Sequence, residues 1–113
     1  MEQFMLCLYE DPSGWATLSP EDMQKAVEKY IAWGKNAFVK GGHRLDADLG
    51  KVMRMQGSKP VATDGPYSET KEVLGGIYLI EAKNYDEAVK FTLDHPHLAY
   101  GGTIEVRRLF PEM

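Results

Sequence analysis

His43, His95 and His97 are the chain's only histidines, and imidazole is the side chain whose ordinary pKa suits proton transfer near neutrality. A general acid or base is sought among them first. His95-Pro96-His97 also suggests paired metal ligands. No Cys or carboxylate completes a ligand spacing, however, so no metal is expected. The plainer reading of His95 is a residue at a helix C-terminus, favoured there by the helix dipole. Asp64, directly before Gly65-Pro66, can bond the backbone ahead of it as an Asx-turn. It can equally stand at a cleft mouth and polarise a histidine or accept from a substrate donor, and the two roles are compatible. The candidate catalytic set is His43, Asp64 and His95.

A second group could hold a ligand. Glu69, Lys71 and Glu72 follow the Asp64-Gly65-Pro66-Tyr67 turn, either as a solvated charged loop or as a segment that binds or caps something. Glu105 and Arg107 share one face of a strand, as a structural ion pair or as an anchor for an anionic ligand, and Arg54 is a further anion contact. The candidate ligand-binding residues are Tyr67, Glu69, Lys71, His97, Glu105 and Arg107. Trp15, Trp33 and Tyr67 also read as core or interface packing. Gly41-Gly42 and Gly101-Gly102 lack the spacing and lysine of a phosphate cradle, and no Gly-x-Ser-x-Gly elbow occurs, so no cofactor is expected.

These residues must be positioned by a small set of elements. Gln3 to Tyr9 is apolar on both faces, the pattern of a central strand. Glu10 to Leu18 reads as a turn containing Trp15. Ser19-Pro20-Glu21-Asp22 opens a helix with an N-cap, a first-position proline and two carboxylates. Met23, Val27, Tyr30, Ile31, Gly34 and Phe38 form its inward stripe, and Gly41-Gly42 are expected to end it with a positive dihedral angle. Val52–Gln56 and Pro60–Thr63 flank the Gly57-Ser58-Lys59 turn as a hairpin. Ile77 to Ala82 is a second strand apolar on both faces. Asn84 and Glu87 start a second helix, with Tyr85, Ala88, Val89 and Thr92 inward, that ends near His95-Pro96. Thr103 to Leu109 alternates, with Ile104 and Val106 opposite Glu105 and Arg107. The order gives a split pair of βαβ units, an α+β ferredoxin-like sandwich whose helices cover one sheet face. The other face is apolar too and needs a cover, which a second copy of the chain would supply.

With 113 residues, 43% of them hydrophobic, the chain fits one domain spanning residues 1–113, large enough for a core without metals or disulfides. Thirteen basic and seventeen acidic residues, interspersed, leave a net charge of -4 and no nucleic-acid footprint. No run reaches membrane-spanning length and the N-terminus does not read as a signal peptide, so a cytoplasmic location is expected. The lone Cys7, inside an apolar run, reads as a small buried hydrophobe rather than a reactive thiol.

The run Thr63-Asp64-Gly65-Pro66-Tyr67-Ser68-Glu69-Thr70-Lys71-Glu72, followed by Leu74-Gly75-Gly76, resembles the DGPF signature of the YCII-related family, with Tyr67 where the usual pattern has Phe. Phe4 to Tyr9 is similar to the family's first strand and Gly102 to Arg107 to its closing strand, so the resemblance spans nearly the whole chain. It implies a homodimeric α+β barrel with a cleft beside it. The founding branch carries a His and Asp pair proposed as catalytic, the histidine on the first helix. Here that helix has none, and the late Asp-Pro motif is matched by His95-Pro96. The expected function is His/Asp acid-base chemistry on a small molecule in that cleft; the alternative is a non-catalytic module that binds or senses a small molecule.

Overall fold

The computed structural model describes residues 1–111. Its elements are β1 (Glu2–Glu10), α1 (Pro12–Ala16), α2 (Pro20–Trp33), β2 (Val39–Arg44), β3 (Lys51–Gln56), β4 (Lys59–Asp64), β5 (Val73–Ala82), α3 (Tyr85–Thr92), α4 (Pro96–Ala99) and β6 (Thr103–Arg108). Four strands form an antiparallel sheet in the order β2-β5-β1-β6, and β3-β4 stand apart as a two-stranded hairpin. With the hairpin as an insertion, this is the ferredoxin-like α+β arrangement.

The long central strands β1 and β5 divide their side chains cleanly between two faces. Phe4, Leu6, Leu8, Ile80 and Ala82 join Trp33 and Ala88 in the buried core, and Ile104 and Val106 pack against it from β6. Burying a large apolar side chain contributes roughly 1.5–3 kcal/mol, so this one-sided cluster is the main force holding the helices on the sheet. The opposite face carries Met5, Cys7, Tyr9, Ile77 and Leu79 with Glu105 and Arg107, following from the register Met5↔Leu79, Cys7↔Ile77, Met5↔Arg107 and Cys7↔Glu105. Arg107 lies 3.5 Å from Glu105, whose carboxylate also accepts from the Tyr9 hydroxyl at 3.1 Å. Cys7 is 6% exposed, and burial, with Glu105 nearby, pushes its thiol pKa up, in keeping with a packed side chain.

Helix α2 starts as its sequence dictates: Ser19 Oγ accepts from the Asp22 N–H at 3.1 Å and Pro20 takes the first position. It ends at Trp33, eight residues before Gly41. The Asn36 side-chain amide donates to the Trp33 carbonyl at 2.7 Å, and the Val39 N–H bonds the Asn36 carbonyl, turning the chain into β2. Gly41 and Gly42 are strand residues without positive φ, which corrects the expected helix end. Phe38 still reaches the core from the turn and stacks on Phe91 with centroids 4.2 Å apart. Glu10 to Leu18 contains a short helix, α1, capped by the Asp11 carboxylate, where a turn was expected. The hairpin turns at Gly57-Ser58, with Gly57 at φ +65°.

Candidate functional site

The sheet is thinned where β2 meets β5. Gly42 pairs with Tyr78 and Gly76 with Arg44, so two helix-facing positions lack side chains where α2 crosses above them. A cavity of about 580 Å³ opens there. Its walls are mostly apolar, from Leu8, Trp15, Met23, Val27, Ile31 and Tyr78, with Glu10, Tyr30 and Arg44 among the polar members. Mostly apolar walls with a few convergent polar groups describe a small-molecule site. The Glu10 carboxylate owes its place to a bulge: β1 and β5 slip register between Leu8 and Tyr9, and Gly75 is the extra residue. A Cβ at position 75 would overlap the Glu10 carboxylate.

Behind the cavity lies a buried polar chain. The Tyr30 hydroxyl is 2.6 Å from His97 Nδ1, and His97 Nε2 is 2.7 Å from the Tyr9 carbonyl oxygen. A carbonyl can only accept, so His97 Nε2 carries a proton; in the singly protonated ring Nδ1 is then the acceptor and Tyr30 the donor. His97 is 1% exposed, and its ring fits only because Gly102 has no side chain. Burial, with smaller contributions from Glu10, Tyr78 and Tyr100 against Arg44, raises the Tyr30 pKa, so the phenol stays protonated. The Tyr78 hydroxyl donates to the Tyr30 carbonyl at 3.0 Å.

His95 caps the start of α4 rather than the end of a helix: its Nδ1 accepts from the His97 N–H at 3.0 Å. That corrects the expected C-terminal position. It is 1% exposed, enclosed by the Trp33, Tyr78 and Tyr30 rings, and Nε2 has no hydrogen-bond partner among the described residues. Burial, with His97 adding to it and Asp94 opposing, lowers its pKa to about 4. The neighbouring Asp94 carboxylate accepts from the Trp33 indole N–H at 3.1 Å.

The three residues expected to act together are in three separate places. His43 borders the cavity, but its pairing with Ile77 directs its side chain to the sheet face turned away from the helices. Asp64 ends β4, 84% exposed, in an ion pair with Lys51. His95 is enclosed in the core. Of the expected ligand contacts, Glu105 and Arg107 share the face of His43, and Tyr67 is 79% exposed with the Arg54 guanidinium 5.4 Å from its ring centre. Tyr67, Glu69 and Lys71 lie outside the cavity wall, on the segment between β4 and β5. That segment is tied down by backbone: the Gly65 N–H bonds the Gly50 carbonyl at 2.9 Å, and a Cβ at 65 would overlap the Leu49 carbonyl.

Glu10, Tyr30 and Arg44 stand outside the expected set. Tyr30 carried a signal in its sequence, because a phenol on the inward stripe of an amphipathic helix must find a partner for its hydroxyl. Among the described residues no helix is long and apolar enough to cross a membrane.

A family model for the YCII-related domain matches residues 3–112. An uncharacterized protein from Rhizobium meliloti is 30% identical over 112 residues, covering 93% of this chain and 89% of its own. Among solved structures, the 5-chloro-2-hydroxyhydroquinone dehydrochlorinase of Burkholderia phenoliruptrix, in complex with 2,5-dihydroxybenzoquinone, matches with a TM-score of 0.45 and 17% identity, over 96% of this chain and 93% of that one. A signature strung along the β4–β5 connection, a matching strand at either end and a family model spanning nearly every residue make this chain a member of the YCII-related family.

Proposed function

We propose that this protein binds a small molecule with an apolar body in the cavity between α2 and the β2–β5 seam and performs acid-base chemistry on it there. The observation that carries the reading is the cavity itself: about 580 Å³, roofed by a helix, floored by glycines, and supplied with a phenol, a carboxylate and a guanidinium. Such a volume accommodates a ligand of one or two rings. The half-buried apolar side of the sheet away from the helices supports a homodimer in which the faces carrying Met5, Ile77 and Leu79 meet. In that arrangement the Glu105–Arg107 pair and His43 lie along the seam, as second contacts for an anionic group or as the pair that sets the register of the two copies. A net charge of -4 fits a small-molecule partner better than a nucleic acid, and a single buried cysteine suits the cytoplasm.

The test is a small-molecule fragment screen followed by protein NMR. Binding at this site shifts amide signals of α2, β2 and β5, and Met23→Trp, which fills the cavity from α2, weakens the hits about tenfold or more, a loss of at least ~1.4 kcal/mol. Hits that shift only the Asp64–Glu72 segment, or that bind Met23→Trp as well as the parent, would place the ligand elsewhere.

A further inference from the structure

We infer that Tyr30 is the proton-transfer group of this cavity, that His97 is the buried acceptor behind it, and that the compound handled is a weakly acidic hydroxyl compound of the phenol or enol type. The inference rests on the cavity being a ligand site and adds what happens to a proton there.

The hydrogen-bond chain has one direction. The Tyr9 carbonyl fixes the proton of His97 on Nε2, and Nδ1 is thereby left as an acceptor facing the only proton of the Tyr30 hydroxyl, 2.6 Å away. When a bound hydroxyl gives its proton to Tyr30 Oη, the proton already on that oxygen passes to His97 Nδ1. One O–H bond of the ligand breaks, one O–H bond of Tyr30 is replaced, and one N–H bond forms on His97. The ligand is left an oxyanion and His97 an imidazolium that donates from both nitrogens. No electron pair leaves either molecule, and the reverse transfer restores the starting state.

The surroundings suit that charge separation. Arg44 lies on the cavity wall, in no ion pair among the described residues, to face the oxyanion. Glu10 is on the same wall, and Tyr78 and Tyr100 flank Tyr30. The Trp15 and Tyr78 rings favour a planar ligand body. The other two imidazoles are unsuited: His43 points to the opposite sheet face, and the free nitrogen of His95 is enclosed by aromatic rings.

The probe is 4-nitrophenol, whose ionised form is coloured. Bound to the wild-type protein, its ratio of ionised to neutral form rises about tenfold or more over the free dye at the same pH. In nitrogen-15 spectra of the wild type, His97 changes from a singly to a doubly protonated ring as the dye binds. Tyr30→Phe retains binding, and its dye stays at or below the ratio of the free compound. Dye that binds the wild type in the cavity and remains neutral, or a His97 signal that does not change, overturns the relay and leaves the ligand site standing. Ionisation in Tyr30→Phe equal to that in the wild type overturns the role of Tyr30. Dye that fails to bind the wild type at all overturns the ligand class; if the fragment screen also fails, the cavity reading falls with it.

Discussion

Gly102→Ala removes no contact and adds one methyl group, yet it tests the buried chain directly. The new Cβ would overlap the His97 ring at Nε2 and Cδ2, and Cε1 would lie only 2.6 Å away. The ring is fully buried and cannot swing into solvent, so either β6 moves away from α4 or the ring rotates. Overpacking of a filled interior costs about 1–3 kcal/mol. Rotation would also break the hydrogen bonds to the Tyr9 carbonyl and the Tyr30 hydroxyl, and each buried group left unpaired costs roughly 1–3 kcal/mol. The expected loss is therefore about 1–3 kcal/mol if the strand moves and about 2–6 kcal/mol if the ring rotates, a large share of the roughly 5–15 kcal/mol that stabilises an ordinary domain. Urea unfolding at fixed protomer concentration measures it as a lowered midpoint with an unchanged slope. Gly14→Ala is the control, since a Cβ there meets nothing within 4 Å, and it should leave stability unchanged or slightly raised. A Gly102→Ala protein within about 0.5 kcal/mol of the parent, the scatter of surface substitutions, would refute the placement of His97 and everything argued from it.

Three other outcomes are expected. His95 has a folded-state pKa depressed to about 4 from 6.5, so the unfolded chain binds the extra proton first as the pH falls through that window. Stability should drop between about pH 6.5 and pH 4 by about 3 kcal/mol from this group, and His95→Asn, which keeps a capping acceptor but cannot titrate, should flatten that part of the pH profile in urea melts. Gly65→Ala should open the base of the β3–β4 hairpin by collision with the Leu49 carbonyl, seen as lost hydrogen-exchange protection at the Gly65 amide with the β1–β5 amides still protected. Leu79→Lys, on the sheet face away from the helices, should shift the protein from dimer to monomer in sedimentation, while Lys83→Glu, in the turn after β5, should not.

Elements with a single dominant pattern were legible in the sequence. The two-sided apolar runs of β1 and β5, the capped starts of α2 and α3 and the alternation of β6 all appear where their residues predict, and together they specify the ferredoxin-like order. Strand β2 was not legible, because Val39-Lys40-Gly41-Gly42-His43-Arg44 has Gly42 where a strand would show an inward apolar residue, and that glycine, with Gly76 of β5, opens the cavity. The site was harder still. Tyr30 and His97 are 67 residues apart, and their contact depends on the short α4 turn and on Gly102, neither of which carries a periodic signal. His43, Asp64 and His95 have the side-chain chemistry of a site and lie on segments expected to border the sheet, but without pleat and register neither tells which face a residue serves.

The extra residue in β5 gives the pocket an adjustable electrical sign. Because the acidic oxygens of Glu10 fill space that any larger residue at position 75 would claim, a single-residue change there evicts the carboxylate from a wall that then retains Arg44 and Lys35. Descendants of this sequence could thus pass from handling neutral compounds to gripping anions through one codon, with the sheet, the helices and the core left as they are.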